Sequence, residues 1–306
     1  MNDHSIAQQG QVRRPGSSPG PVIVGVDGGS AGADALLLGQ WTAAVLAAPL
    51  VVVVVRPAPA ALGSGRVDAE WVADRDRAAA AVLAGARTLL GKLADEVTFR
   101  IIASSSAAHG LHDLAEELGA EAIVVGSGRA GPRNRLFAGS TAERLLAGSV
   151  CPVAIAPTGL EPLPGTLGRI GVAYVDTPDG RAALAAAARL SGSTGTPLRL
   201  FTVVADADAT RPFLVGQDAE RAFLDTARET YEQSLVNAAA SVPDIAVDWE
   251  IRTGDVVDQL AELDDVDVLF CGSRGYGPAR RVLLGGVSAR LLRRARRPVI
   301  VVPRSG

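Results

Sequence analysis

Apolar and polar positions alternate between two periods along this chain, and the alternation is run through twice. In the first half Val22 to Val26 is a short apolar run, and Ala33 to Ala47 is an alanine- and leucine-rich helix. Leu50 to Val55 is apolar at every position, as in a strand buried on both faces. A Pro-rich loop follows from Arg56 to about Gly65. The pattern then predicts a long helix over Asp68 to Leu90, a strand over Val97 to Ile102, a helix from about Leu111 to Leu118 and a strand over Ala122 to Val125. A glycine loop, a helix over Ser140 to Ala147 and a strand over Pro152 to Ala156 complete the series. Strands alternating with helices in this way predict an α/β fold with a parallel sheet covered on both faces.

The second half repeats the order, with strands expected near Ile170 to Tyr174, Leu198 to Val204, Ala246 to Ile251, Val266 to Phe270 and Val299 to Val302. Gly126, Gly139, Pro152 and Pro157 recur as Gly272, Gly285, Pro298 and Pro303, each displaced by the 146 positions that separate 126 from 272. Four landmarks in one gapless register mark a duplication. The expected organisation is a tail over 1–20, a first domain over 21–157, a linker over 158–166 and a second domain over 167–304. The linker "TGLEPLPGT" carries Pro and Gly that extend neither flanking strand. Residues 1–20 are polar and rich in Gly, Pro, Ser and Gln, and are expected to be disordered.

Composition removes several classes. Two domains cut from 306 residues are each large enough for an ordinary core. A formal net charge of −3 argues against a nucleic-acid partner. The longest apolar stretch, Trp41 to Val55, is interrupted by Pro49 and is shorter than the roughly 20 residues that span a bilayer, so no membrane association is expected. Cys151 and Cys271 lack metal-ligand spacing and read as small core residues of a reducing cytoplasm. Trp41, Trp71 and Trp249 are too scattered for a base-stacking platform and read as packing residues.

Candidate chemistry gathers where a doubly wound sheet binds its ligands, at the carboxyl ends of the strands. In the second copy "GSRGYGPARRVLLGG" places Gly272, Gly275 and Gly285 in the spacing G-x2-G-x9-G between a strand and a helix. Glycines let backbone N–H groups approach a phosphate, and a helix start adds free donors. A tight strand-to-helix connection without a ligand would use the same residues.

With "VGVDGG" at the first strand and the closing strands "CPVAIAP" and "RPVIVVP", the motif resembles a tandem universal stress protein, over nearly the whole span from Pro21 to Pro303. That resemblance implies two doubly wound, Rossmann-like domains of strand order 3-2-1-4-5 and pairing of the domains through their last strands. It also implies ATP binding, with Mg²⁺ as an accompanying ion, and a stress-related regulatory role without efficient catalysis.

Carried over residue by residue, Asp27 takes the place of the carboxylate that contacts the nucleoside, and Val54 lies near the strand-two end that meets adenine. Gly126, Gly139 and Ser140 fit the phosphate loop, whereas Arg129 stands where the family has its second glycine. Its Cβ either obstructs the loop or its guanidinium replaces the lost contact. In the second domain Gly272, Gly275 and Gly285 fit, but Gly286 replaces the hydroxyl residue and Val175 the aspartate, with Asp176 one position later. The competing readings are a slow adenine-nucleotide hydrolase and a ligand-free interaction module. His109, His112 and Asp113 read as a helix-capping, solvated cluster, and Arg290, Arg293, Arg294, Arg296 and Arg297 as a solvated helix end facing its dipole. A further homodimer is compatible with the sequence.

Overall fold

The computed structural model describes residues 19–58, 65–127, 140–204, 217–273, 290–291 and 294–303. In the first repeat the strands are β1 (Val22–Gly25), β2 (Leu50–Pro57), β3 (Thr98–Ser104), β4 (Ala122–Gly126) and β5 (Val153–Ala156). The helices are α1 (Ser30–Val45), α2 (Gly65–Leu90, followed by a 3-10 turn over Gly91–Glu96), α3 (Ala107–Leu118) and α4 (Ser140–Leu146). In the second repeat the strands are β6 (Ile170–Ala173), β7 (Leu198–Val204), β8 (Val247–Thr253), β9 (Val268–Gly272) and β10 (Val299–Val302). Its helices include α5 (Pro178–Thr194), α6 (Gln217–Ala240) and α7 (Val256–Ala261). The expected tail lies outside the described residues up to position 18. Gly20 does not belong with it, being buried and donating its N–H to Glu121 Oε1 at 3.2 Å.

Helix starts and stops follow local chemistry. Ser106 caps α3 by accepting from His109 N at 3.2 Å, and Gly119 closes it in the left-handed region, with φ of 57°. Thr177 caps α5 ahead of Pro178, a residue suited to the first helical position. Helices α1, α2 and α3 each begin a few residues before the apolar periodicity does.

The described strands form one sheet in the order β3-β2-β1-β4-β5-β10-β9-β6-β7-β8, so each repeat has the order 3-2-1-4-5. Pairing is parallel within each repeat. At the centre β5 and β10 pair antiparallel, Val299 against Ile155, Ile300 against Ala154 and Val301 against Val153. In an isolated repeat each of these strands would be an apolar edge with unpaired backbone groups, and pairing them removes both edges. Side chains alternate faces, so this register also joins the cores. Ala154 and Ile300 belong to one buried layer, with Val24, Val52, Val172 and Leu200. Ile155 and Val299 belong to the other, with Ile23, Val53, Phe201 and Leu269. A one-residue slip would exchange the two layers, which fixes the register. Cys151 and Cys271 are buried thiols, and burial pushes the Cys151 thiol up to about 11.

At the amino end of the second repeat's sheet the Arg199 guanidinium holds both Asp248 oxygens, at 2.9 and 2.7 Å, and Asp265 at 2.5 Å. Arg169 stands 3.6 Å from each carboxylate. The Arg199 hydrogen bonds hold the Asp248 carboxyl below its ordinary range. A depressed folded-state pKa contributes stability that is present above the unfolded value, near pH 4, and is lost as pH falls through the folded value. The urea midpoint of Asp248→Asn should therefore lie below the parent's at neutral pH and converge with it on acidification below about pH 4. A gap that does not narrow on acidification would refute the ion-pair account.

Candidate functional site

Strand order reverses between β1 and β4, where the chain leaves β1 towards β2 on one side and β4 towards β5 on the other. The crevice at the carboxyl ends of these two strands is where such a sheet accepts ligands. Asp27 and Gly126 stand on its two sides. Asp27 is exposed, and its Oδ1 accepts the N–H of Gly29 at 2.9 Å, folding the loop over its own carboxylate. Gly28, at φ 81°, occupies a conformation that side chains rarely adopt. Among the described residues the second Asp27 oxygen accepts no hydrogen bond.

Gly126 has a packing reason to be glycine. A Cβ there would lie 2.0 Å from the Ala31 carbonyl oxygen, because the end of β4 runs against the first turn of α1. Gly272 is constrained in the same way, with the Asp179 backbone 2.9 Å from its would-be Cβ. Both glycines were expected as ligand residues, and the structure shows a second constraint acting on each. Val54 is 7% exposed, and β2 continues for three paired residues beyond it, to Pro57 opposite Ser104. Its side chain belongs to the core and its backbone to the β2–β3 ladder, so the strand-two end expected at Val55 lies further along the chain. Ser140 opens α4. Arg129, Gly139, Gly275 and Gly285 lie outside the described residues.

The residue entering each loop is anchored, which the glycine spacing did not reveal. Ser127 donates its N–H to Ala156 O at 2.9 Å, and its buried hydroxyl bonds that of Thr158 at 2.8 Å. Ser273 repeats the backbone bond, to Val302 O at 3.0 Å, but its hydroxyl donates to Asp179 Oδ1 at 3.1 Å. The recurring Gly-Ser pair at 126–127 and 272–273 was the available signal. Asp34 was also missed: buried on α1, it accepts from Gly159 N at 2.9 Å and Leu160 N at 3.1 Å, tying the first repeat's helix to the segment after β5. Burial pushes its carboxyl above the ordinary range, against the pull of these two N–H groups.

The second repeat's crevice is furnished differently. Asp176, the nearest carboxylate to the vacated aspartate position, is ion-paired with Arg181, and Tyr174 donates to it at 3.4 Å. Burial first, and the Asp176 charge second, push the Tyr174 phenol up to about 12, which keeps it a donor. The amino-terminal parts of the repeats align with an offset of 148, which sets Leu184 against Leu36, so Arg181 stands where the first repeat has Ala33.

Other expectations are revised. Arg290 bonds both Asp255 oxygens, at 3.0 and 2.7 Å, Arg294 pairs with Asp258, and Arg297 donates to Asp264 O at 3.3 Å. These arginines clamp the α7 region rather than simply facing a helix dipole. Trp249 is 36% exposed on an edge strand instead of packed in the core. His109 and Asp113 sit 3.4 Å apart and exposed, and no metal-binding group occurs among the described residues. No described helix is long and apolar enough to cross a membrane.

The model of the universal stress protein family matches residues 20–157 and again 166–303. A universal stress protein of Mycobacterium tuberculosis is 33% identical over 295 residues, covering 92% of this chain and 99% of its own. Among solved structures, a universal stress protein from Archaeoglobus fulgidus superposes with a TM-score of 0.66 at 19% identity, covering 94% of this chain and 97% of its own. A protein of Pseudomonas aeruginosa gives 0.57 at 17% identity, covering 93% and 92%.

Proposed function

Because this chain belongs to the universal stress protein family, with one family domain in each repeat, we propose that it is a nucleotide-binding stress-response regulator without efficient catalysis, acting in the cytoplasm on ATP, with or without Mg²⁺. The observation that carries this reading is the position of Asp27 just beyond β1 and of Gly126 at the end of β4, at the carboxyl ends of the two adjacent strands where the sheet's topology makes room for a ligand. Asp27 has an oxygen to offer a nucleoside hydroxyl. The carboxyl end of β2, beyond Val54, forms the adenine side. Gly126, Gly139 and Ser140 would cradle the phosphates, with Arg129 pairing to them directly.

The second repeat supports a weaker site. Its Gly272, Gly275 and Gly285 keep the loop spacing, but Val175 offers no carboxylate and Asp176 is already held by Arg181. This asymmetry favours the first domain as the principal site and leaves room for a second reading, in which the second domain is a ligand-free interaction half.

Native mass spectrometry of the purified chain tests the proposal: one adenine nucleotide per chain is the expected result. Mass equal to the bare polypeptide, unchanged after incubation with ATP and Mg²⁺, would favour the ligand-free module. Turnover of ATP should stay far below the roughly 1 to 1000 per second of ordinary enzymes. Turnover within that range, abolished by Asp27→Ala, would make the protein a hydrolase.

A further inference from the structure

The two ends of the ten-stranded sheet are β3 and β8. In β8 the Ala246 carbonyl accepts from Leu198 and the Gly254 N–H donates to Val204, so even-numbered residues turn their backbone groups towards β7. Val247, Trp249, Ile251 and Thr253 turn theirs outward, and among the described residues nothing pairs with them. Trp249 stands 36% exposed on this edge. On the face bearing the even-numbered residues, Glu250 and Arg252 are joined side by side at 3.0 and 3.3 Å. Arg252 is further steadied by the Gln259 carbonyl at 3.2 Å and by the Phe201 ring, 5.2 Å from its centre.

We propose that two copies of this chain associate through β8, pairing antiparallel about Ile251 to continue the sheet from one molecule into the next. In that register Ile251 meets Ile251 of the second copy, and Trp249 meets Thr253. Glu250 of each copy faces Arg252 of the other, so the two same-strand ion pairs meet head to tail as a square of alternating charge. Outward backbone groups can meet only when odd residues oppose odd ones, which restricts the alternatives. Centring on Glu250 or Arg252 sets a charge against its own copy, and centring on Trp249 sets Asp248 against Glu250.

The other edge lacks this self-complementarity. In β3 the Ser104 carbonyl accepts from Ala58, so Val97, Phe99, Ile101 and Ala103 face outward. Centring that strand on Ile101 sets Arg100 against Ile102, and centring it on Arg100 sets arginine against arginine. Arg100 is instead spent on Glu117 of its own chain, at 3.6 Å. A β8–β8 contact is two-fold and closes at a dimer, whereas β3–β8 contacts would propagate.

Sedimentation velocity on the full chain, over about 1 to 200 µM, tests this. The parent should form a dimer. Glu250→Arg and Arg252→Glu should each raise the dimer dissociation constant by about a hundredfold, and the double exchange should restore it to within about threefold of the parent. Arg100→Glu should leave the dimer unchanged. A chain that stays monomeric throughout overturns the proposal. So does a dimer that the single exchanges leave intact or the double exchange fails to restore, or an assembly that grows beyond two and is blocked by Arg100→Glu. The association does not depend on nucleotide, so its failure leaves the ATP-binding reading standing.

Discussion

Gly126→Ala should lower the free energy of unfolding by about 3 kcal/mol, at the upper end of what overpacking usually costs. The added methyl would lie 2.0 Å from the Ala31 carbonyl oxygen and 2.5 Å from its carbon, and neither belongs to a side chain that can rotate away. Relief requires the end of β4 to move away from the first turn of α1, and both are built into the core: Val124 and Ala35 are fully buried. Gly85 supplies the control. It lies within α2 with nothing within 4 Å of its would-be Cβ, so Gly85→Ala should stabilise by about 0.5 to 1 kcal/mol through helix propensity alone. Urea denaturation of the ligand-free protein measures both. Opposite signs are required; a neutral Gly126→Ala would mean that this glycine is present for the loop and its ligand, not for the packing of β4 on α1.

Titrated with ATP in a calorimeter, Ser140→Ala should bind ten- to a hundredfold more weakly at the stronger site. A hydroxyl donating to a phosphate is a hydrogen bond to a charged group, typically about 1.5 to 3 kcal/mol. The second domain has Gly286 at the matching position, so Gly286→Ser should strengthen or create a second binding event. Arg129→Gly separates the two roles open to that arginine. Weaker binding would show the guanidinium replacing a lost backbone contact, and tighter binding would show its Cβ obstructing the loop. An isotherm that Ser140→Ala leaves unchanged would remove the first domain as the principal site, and a protein that takes up no ATP in any variant would make the ligand-free module the better account. Gly126→Ala is a poor probe of binding by comparison, because its packing cost falls on the fold whether or not nucleotide is present.

The duplication, the alternation of strands and helices, and most element positions were legible in the sequence because each is a local property. Burial on both faces makes β2 apolar at every core position, and amphipathic periodicity marks α3 from Leu111 onward, although its first turn and the Ser106 cap were not read from the sequence. Pairing of β5 with β10 followed from the same source once the strand order was supposed, since two short strands apolar at every position make poor exposed edges. The place of Asp27 just beyond β1 was legible because its loop follows a recognisable strand, and its ligand role rests on the family resemblance.

Tertiary structure alone decided the rest, because it depends on which distant residues meet. Asp34 and Gly159 are 125 positions apart, and no periodicity along α1 announces that its buried carboxylate will hold the chain beyond β5. Arg294 was expected to face a helix dipole, but the sheet brings Asp258, 36 positions earlier, within reach of its charge. Val54 reads as a strand end until its pairing with Ile101 shows the ladder running on past it. Trp249 reads as a packing residue because the tryptophans are scattered along the chain; in the sheet β8 has a neighbour on one side, which leaves Trp249 36% exposed at an edge. A sequence specifies the local pattern of burial, and assembly of the sheet determines which of the surfaces so prepared finds a partner within the chain.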